Sequence, residues 1–147
     1  MTGVALRANL AADPRVARYL DRLAQFDVEP LLEGLGAEVE SQTRRRIQSD
    51  KASPSGEPWA AWSPQYAETR HAGQSLLQSL GPLLNSINYQ VQGNSVLTGS
   101  PMVYAASHNF GDPERGIPRR EFLGVEGQDF EDLIGICEDY LEALTNG

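Results

Sequence analysis

This chain is short of cysteine, histidine and lysine, and each shortage removes a class of function. A single cysteine in 147 residues, Cys137, excludes an internal disulfide framework and a thiolate metal cluster. It falls on the apolar stripe of the last predicted helix, where a small buried hydrophobe is expected. The two histidines, His71 and His108, stand far apart with no cysteine beside either, so no zinc site is expected. Gly111 and Gly116 bracket a charged loop that lacks the lysine and hydroxyl residue of a phosphate loop, which leaves a turn. Ser107, His108 and Asp112 fail as a triad, because neighbouring helical residues point about 100° apart and no Gly-x-Ser-x-Gly elbow is present. No catalytic residue, metal or cofactor is therefore expected, and the chain is not read as an enzyme. No apolar run approaches the ~20 residues of a membrane helix. The start, Met1-Thr2-Gly3-Val4-Ala5-Leu6-Arg7, does not read as a secretion signal, so no membrane association and cytosolic synthesis are expected.

What is present is enough for one domain over residues 1–147. With 40% hydrophobic residues the composition is that of a globular chain, neither membrane-embedded nor disordered. The net charge of −8 is concentrated at one end. Residues 126–147 hold seven acids and no base, whereas the other 125 residues hold 13 acids and 12 bases. Arginine outnumbers lysine 11 to one, Lys51 being the exception.

Asp13-Pro14 opens a first helix whose face is Val16, Leu20, Leu23 and Ala24. Asp27 and Pro30 open a second and longer one, in which Leu31, Leu32, Leu35, Val39 and Ile47 share a face. Gly34 and Gly36 weaken its start by up to about 1 kcal/mol each, and Arg44-Arg45-Arg46 is expected to complement the negative end of its dipole. A loop punctuated by Pro54, Gly56 and Pro58 follows; Trp59 and Trp62 argue that it is ordered. Ser63-Pro64 caps a short helix to about Arg70, a break follows at Ala72-Gly73, and Gly81-Pro82 opens another turn of helix. Ile87, Tyr89 and Val91 alternate with polar residues up to the two-residue turn Gly93-Asn94, which predicts a hairpin pairing Val91 with Val96 and Tyr89 with Thr98. A lone hairpin is marginal in water, so a further strand is expected, from residues 122–125 or from a neighbouring subunit. The last helix starts near Asp129 with the stripe Phe130, Leu133, Ile134, Cys137, Leu141 and Leu144. The fold class is α+β: a small antiparallel sheet built on the hairpin, packed by the long helix in the N-terminal half and by the C-terminal helix. The carboxylate pairs Glu38 and Glu40, and Asp129 and Asp132, read as solvated helix positions.

The most informative stretch is residues 103–124. Val103-Tyr104-Ala105-Ala106 is followed by His108-Asn109-Phe110-Gly111, a charged loop closed by Ile117-Pro118, and Arg119-Arg120-Glu121-Phe122-Leu123-Gly124. Aromatics on each side with arginines between them suit docking on another protein, and His108 is expected to bond a backbone carbonyl beside the Phe110-Gly111 turn. The docking candidates are Tyr104, His108, Phe110, Arg119, Arg120, Phe122 and Leu123. Sequence-specific DNA binding is not expected, because the chain as a whole is acidic and tight duplex binding rests on phosphate neutralisation. Arginines on one part and an acidic helix on another can instead pair head to tail between copies, a heterologous contact that closes into a ring when the rotation permits. Charge reversal at Arg119 and Arg120 is then expected to weaken assembly.

The order of these motifs also resembles a known family. The run just described, together with Pro54-Ser55-Gly56-Glu57-Pro58-Trp59 then Trp62-Ser63-Pro64, and Leu76-Leu77-Gln78-Ser79-Leu80-Gly81-Pro82-Leu83-Leu84-Asn85-Ser86-Ile87, is similar to the tail-completion, or virion morphogenesis, family of tailed bacteriophages. Trp62 stands where that family more often has leucine. The resemblance implies a structural virion protein, made in the host bacterial cytoplasm and built into the tail or neck. There it would form a homo-oligomeric, hexameric ring that caps the tail tube and permits head–tail joining. Its implied partners are the tail tube protein and the neck or head-completion proteins. Genomic DNA would pass through the lumen without specific binding, for which acidic walls are suited. A neck adaptor is the nearest alternative. A small intracellular hydrolase or a DNA-binding regulator is the alternative from a different class.

Overall fold

In a computed structural model the chain is described at residues 3–8, 13–23, 27–69, 76–77 and 81–146. Three antiparallel strands, β1 (Val4–Ala8), β2 (Asn88–Gln92) and β3 (Ser95–Ser100), lie in the order β1-β3-β2. The hairpin has the register its alternation predicts, with Val91 opposite Val96 and Tyr89 opposite Thr98. The strand that completes the sheet is not residues 122–125. It is β1, which pairs along β3 from Val4 opposite Ser100 to Ala8 opposite Val96. Residues 122 and 123 have no ladder to offer, because their backbone N–H groups bond a side chain.

Helix α1 (Pro14–Leu23) starts where Asp13 Oδ1 accepts from the Arg15 N–H at 2.8 Å. The side chains of Val16, Leu20 and Leu23, and all of Ala24, lie outside the described residues. Helix α2 (Glu29–Arg45) starts where Asp27 Oδ1 accepts from the Glu29 N–H at 3.0 Å. Leu31, Leu32, Leu35 and Val39 are buried along its inner face, and Ile47 continues that face. Burying each such side chain contributes roughly 1.5–3 kcal/mol, which outweighs the poor helix propensity of Gly34 and Gly36. Gly36 has a packing reason as well. A Cβ there would stand 2.3 Å from the ring of Tyr89, so only glycine lets the helix lie this close to the hairpin. The Tyr89 hydroxyl then donates to Glu33 at 2.8 Å.

The helix continues past Arg45. A single π turn (Arg46–Asp50) carries it to Lys51, which adopts the left-handed conformation at φ 52°. The Lys51 ammonium donates to the carbonyls of Ile47 and Leu76, closing that end. Three short helices follow: α3 (Pro64–Ala67), capped by the Ser63 hydroxyl, α4 (Pro82–Ser86), and α5 (Ala105–Phe110). Helix α3 stops short of Arg70, and the Ala72-Gly73 break lies outside the described residues, as do Gln78, Ser79 and Leu80.

Helix α6 (Gly127–Asn146) buries Leu133, Ile134 and Cys137 and packs its stripe on α2. Burial pushes the Cys137 thiol up to about 11, so it stays protonated and acts as a small hydrophobe. Arg15 on α1 reaches Glu131 at 3.3 Å and lies 5.1 Å above the Phe130 ring, placing α1 alongside α6. No helix among the described residues is long and apolar enough to cross a membrane.

Candidate functional site

The segment at residues 103–124 is built around one asparagine. Helix α5 buries Ala105 and Asn109 on its inner side. Asn109 Oδ1 accepts from the backbone N–H groups of both Phe122 and Leu123, each at 3.1 Å. Those groups would otherwise be buried without a partner, so one amide joins the helix to the strand-like return. Two further backbone contacts fix the return. The Arg120 N–H donates to the His108 carbonyl at 2.8 Å, and Gly111, at φ 77°, sits so close to Arg119 that a Cβ would come within 2.9 Å of its nitrogen. The charged loop between them is ordered too. Asp112 and Ile117 exchange backbone bonds of 2.8 and 2.9 Å across a 3₁₀ turn (Pro113–Arg115).

The return then clamps the tryptophan loop. Arg120 donates from Nε to the Ala60 carbonyl at 2.9 Å and from Nη2 to that of Ala61 at 3.2 Å. Trp59 Nε1 donates to the Glu121 carbonyl at 2.9 Å. Beneath these bonds, Trp59, Ile47, Leu83, Ile87, Ala105, Phe122 and Leu123 form one core cluster. The three motifs that are far apart in sequence thus meet in one place. Trp62 lies nearer the surface, its ring 6.0 Å from and edge-on to that of Tyr66.

The arginine triplet ends inside this junction. Arg46 is 2% exposed; its Nη1 donates to the Phe122 carbonyl at 2.9 Å and its Nη2 to Asp129 Oδ2 at 2.5 Å. Arg45 meets the other oxygen of Asp129 at 2.7 Å, and Arg44 donates to the Ile87 carbonyl at 2.7 Å. Arg44 and Arg45 stand in the last turn of α2, as expected of charges that complement its dipole, and the triplet in addition ties α2 to the entry of the hairpin, the return and α6. For Asp129 the expectation is corrected: it is buried and ion-paired, not solvated. Burial alone would raise its pKa, but the hydrogen bonds and charges of Arg45 and Arg46 outweigh that and hold it below the usual carboxylate value.

The docking candidates divide by burial. Phe122 is fully buried, Leu123 nearly so, and Arg120 is used up on the tryptophan loop, so these three belong to the fold and not to an exposed surface. Burial lowers the pKa of the Arg120 guanidinium. Tyr104 and His108 are half-buried and meet edge-on, 5.8 Å between centroids. His108 does not bond a carbonyl through Nδ1, which is buried without a partner among the described residues. Burial, then the charges of Arg120 and Arg115, depress its pKa, so it is neutral at pH 7. Phe110 is 62% exposed, and Arg119 is exposed beside it, paired with Glu121 at 2.6 Å. Among the larger side chains, the segment thus offers to solvent Phe110, Arg119, Arg115 and the oppositely charged Glu114, with Val103 preceding α5. Asn109 was given no role by the sequence, and Asp129 was read only as a solvated carboxylate; a polar residue flanked by aromatics and an acid that could answer an arginine triplet were the available signals. His71 lies outside the described residues, and among those described no cluster of His, Cys, Asp or Glu could hold a metal.

Against known proteins, the profile of the phage virion morphogenesis family matches residues 11–142. A putative capsid assembly protein G of Escherichia phage Mu is 27% identical over 135 residues, covering 84% of this chain and 86% of its own. No solved structure matches the chain.

Proposed function

This chain belongs to the phage virion morphogenesis family, and from that premise we propose that it completes the phage tail. It is a virion assembly protein that acts by binding. In the finer reading its copies close into a hexameric ring on the end of the tail tube and make that end competent to join the head. Tail tube subunits lie on one side of the ring, and neck or head-completion proteins on the other. The genome passes through the opening without being held, and a net charge of −8 opposes its sticking to the wall. One observation supports binding as the mode of action. The segment that bears the exposed Phe110, Arg115 and Arg119 is held by buried side chain–backbone bonds from Asn109 and Arg120, so these groups are presented in fixed positions before any partner arrives. Preorganisation of that kind lowers the ordering cost of association.

The name of the Mu relative, a putative capsid assembly protein, favours a second reading on the head side of the junction, as a neck adaptor. Deleting the gene from the phage that carries it and imaging the lysate separates the two. Tail completion predicts filled heads beside separate tails that fail to join. Normal tails beside heads that leak DNA would favour the adaptor, and a lysate of intact infectious particles would overturn both.

A further inference from the structure

Arg120 is 7% exposed, and its hydrogen bonds are committed to the Ala60 and Ala61 carbonyls, yet its charge has no answer. No described carboxylate pairs with the guanidinium; the neighbouring acid, Glu121, is taken by Arg119 at 2.6 Å. The group that favours the charge of Arg120 is a phenol, that of Tyr66. Arg46 shows the contrast, because it is buried in the same way but holds Asp129. Taking a cation out of water without a counter-charge is costly. A second polar group beside it is also unmet. His108 Nδ1 is buried with no partner among the described residues, and the charges acting on that ring are the positive ones of Arg120 and Arg115. The junction beneath residues 60–61 is thus a built positive site with no anion of its own.

The ground around this charge is apolar and uncovered. None of residues 60–69 is buried, although the stretch carries Ala60, Ala61, Trp62, Pro64, Tyr66 and Ala67. Tyr66 is 49% exposed and stands edge-on to Trp62. One charged residue of this stretch is described with a full side chain, Glu68, and it does not act on Arg120. Tryptophan, tyrosine and arginine dominate binding at protein interfaces, where surrounding contacts shut out water. Those three types meet here, and the arginine still needs a negative group.

We propose that the face of residues 60–67 docks on a second copy of this chain, which sets a carboxylate from the outer side of α6 over Arg120. Charge complementarity selects that occupant. Residues 126–147 hold seven acids and no base, and Glu131, Asp132, Glu138, Asp139 and Glu142 are exposed along one side of α6. Arg15 reaches Glu131 and Gln128 reaches Asp132, whereas Asp139 meets no partner in its own chain among the described residues. Trp62 and Tyr66 then close over the pair and exclude water, which strengthens the attraction. The contact deepens the ring reading above and rests on it. Its two surfaces differ, so each copy offers one of each, and copies add head to tail until the circle closes.

The test measures the particle mass of the full chain in solution over a concentration series, for wild type, Tyr66→Glu, Asp139→Lys and the double variant. Tyr66→Glu gives Arg120 a carboxylate from its own chain and completes a capping box with Ser63, so its thermal midpoint should not fall. That separates lost assembly from lost folding. Each single variant is expected to need at least tenfold more protein than wild type to assemble. The double variant brings opposite charges together again with their positions exchanged, and should assemble within about threefold of the wild-type concentration. If wild type forms a ring and both single variants form it equally well, this contact is overturned while the ring reading stands. Loss in one single variant alone, or no recovery in the double, overturns the pairing of these two surfaces. A wild-type chain that stays monomeric throughout overturns both the contact and the ring.

Discussion

Asp129→Ala is expected to destabilise this chain by about 3–5 kcal/mol, because it strands the buried guanidinium of Arg46 without its counter-charge. Arg46 is 2% exposed and holds Asp129 with one nitrogen and the Phe122 carbonyl with another. Removing the carboxylate leaves a charge that has lost its water and has nothing in exchange. At ~3 °C per kcal/mol for a chain of this size, the thermal midpoint falls by on the order of 10 °C. Two comparisons isolate the cause. Arg45→Ala, which removes the half-exposed partner of the same carboxylate, should cost about 1 kcal/mol or less. Replacing Arg46 by methionine and Asp129 by leucine together should recover most of the loss, since a buried ion pair adds little beyond a well-packed apolar pair. Urea unfolding measures all three. The acid limb carries the same signature. The folded pKa of Asp129 lies below its ordinary value, so the unfolded chain binds that proton more readily. The contribution is complete above about pH 4 and is lost as pH falls through the folded value. The Asp129→Ala variant should therefore show a shallower loss of stability below about pH 4 than wild type.

Asn109→Ala is expected to cost about 2–6 kcal/mol, because two buried backbone N–H groups lose their shared acceptor and each unmet group costs about 1–3 kcal/mol. The consequence reaches past stability. With those two bonds gone, the return holding Arg119 and Arg120 keeps the Arg120–His108 backbone bond as its hydrogen bond to α5, and the fixed relation of the exposed Phe110 to the arginines is loosened. The variant should therefore assemble poorly even at temperatures where its circular dichroism remains native. Ser107→Ala, on the half-buried side of the same helix, should stay within about 0.5 kcal/mol and assemble as wild type does. Equal losses from the two substitutions would show that α5 is merely sensitive to any change, and that Asn109 has no special place in it.

The sequence made local features legible. The hairpin register, the inner face of α2 and the stripe of α6 each follow from a periodicity within a short window and a turn or cap at its edge. What was not legible depends on partners at the other end of the chain. Strand β1 is a short segment whose only distinction is its pairing with β3, more than half the chain away in sequence. Arg46 and Asp129 look like surface charges when read separately; only their encounter makes burial tolerable. The docking candidates show a further limit. Arg120, Phe122 and Leu123 stand out because their motif is constrained, but the constraint comes from clamping the tryptophan loop and filling the core. A motif marks residues that cannot vary freely, and burial is what separates those that build a surface from those that form it.

The proposed tail-completion role puts this protein at the upper end of the phage tail, with its copies in contact there. Gold-labelled antibody against the chain, applied to tails isolated from a lysate that makes no capsids, tests that placement directly. The account predicts label at a single end of each tail, opposite the fibres. Label along the tail shaft, at the fibre end, or absent from tails altogether would contradict it.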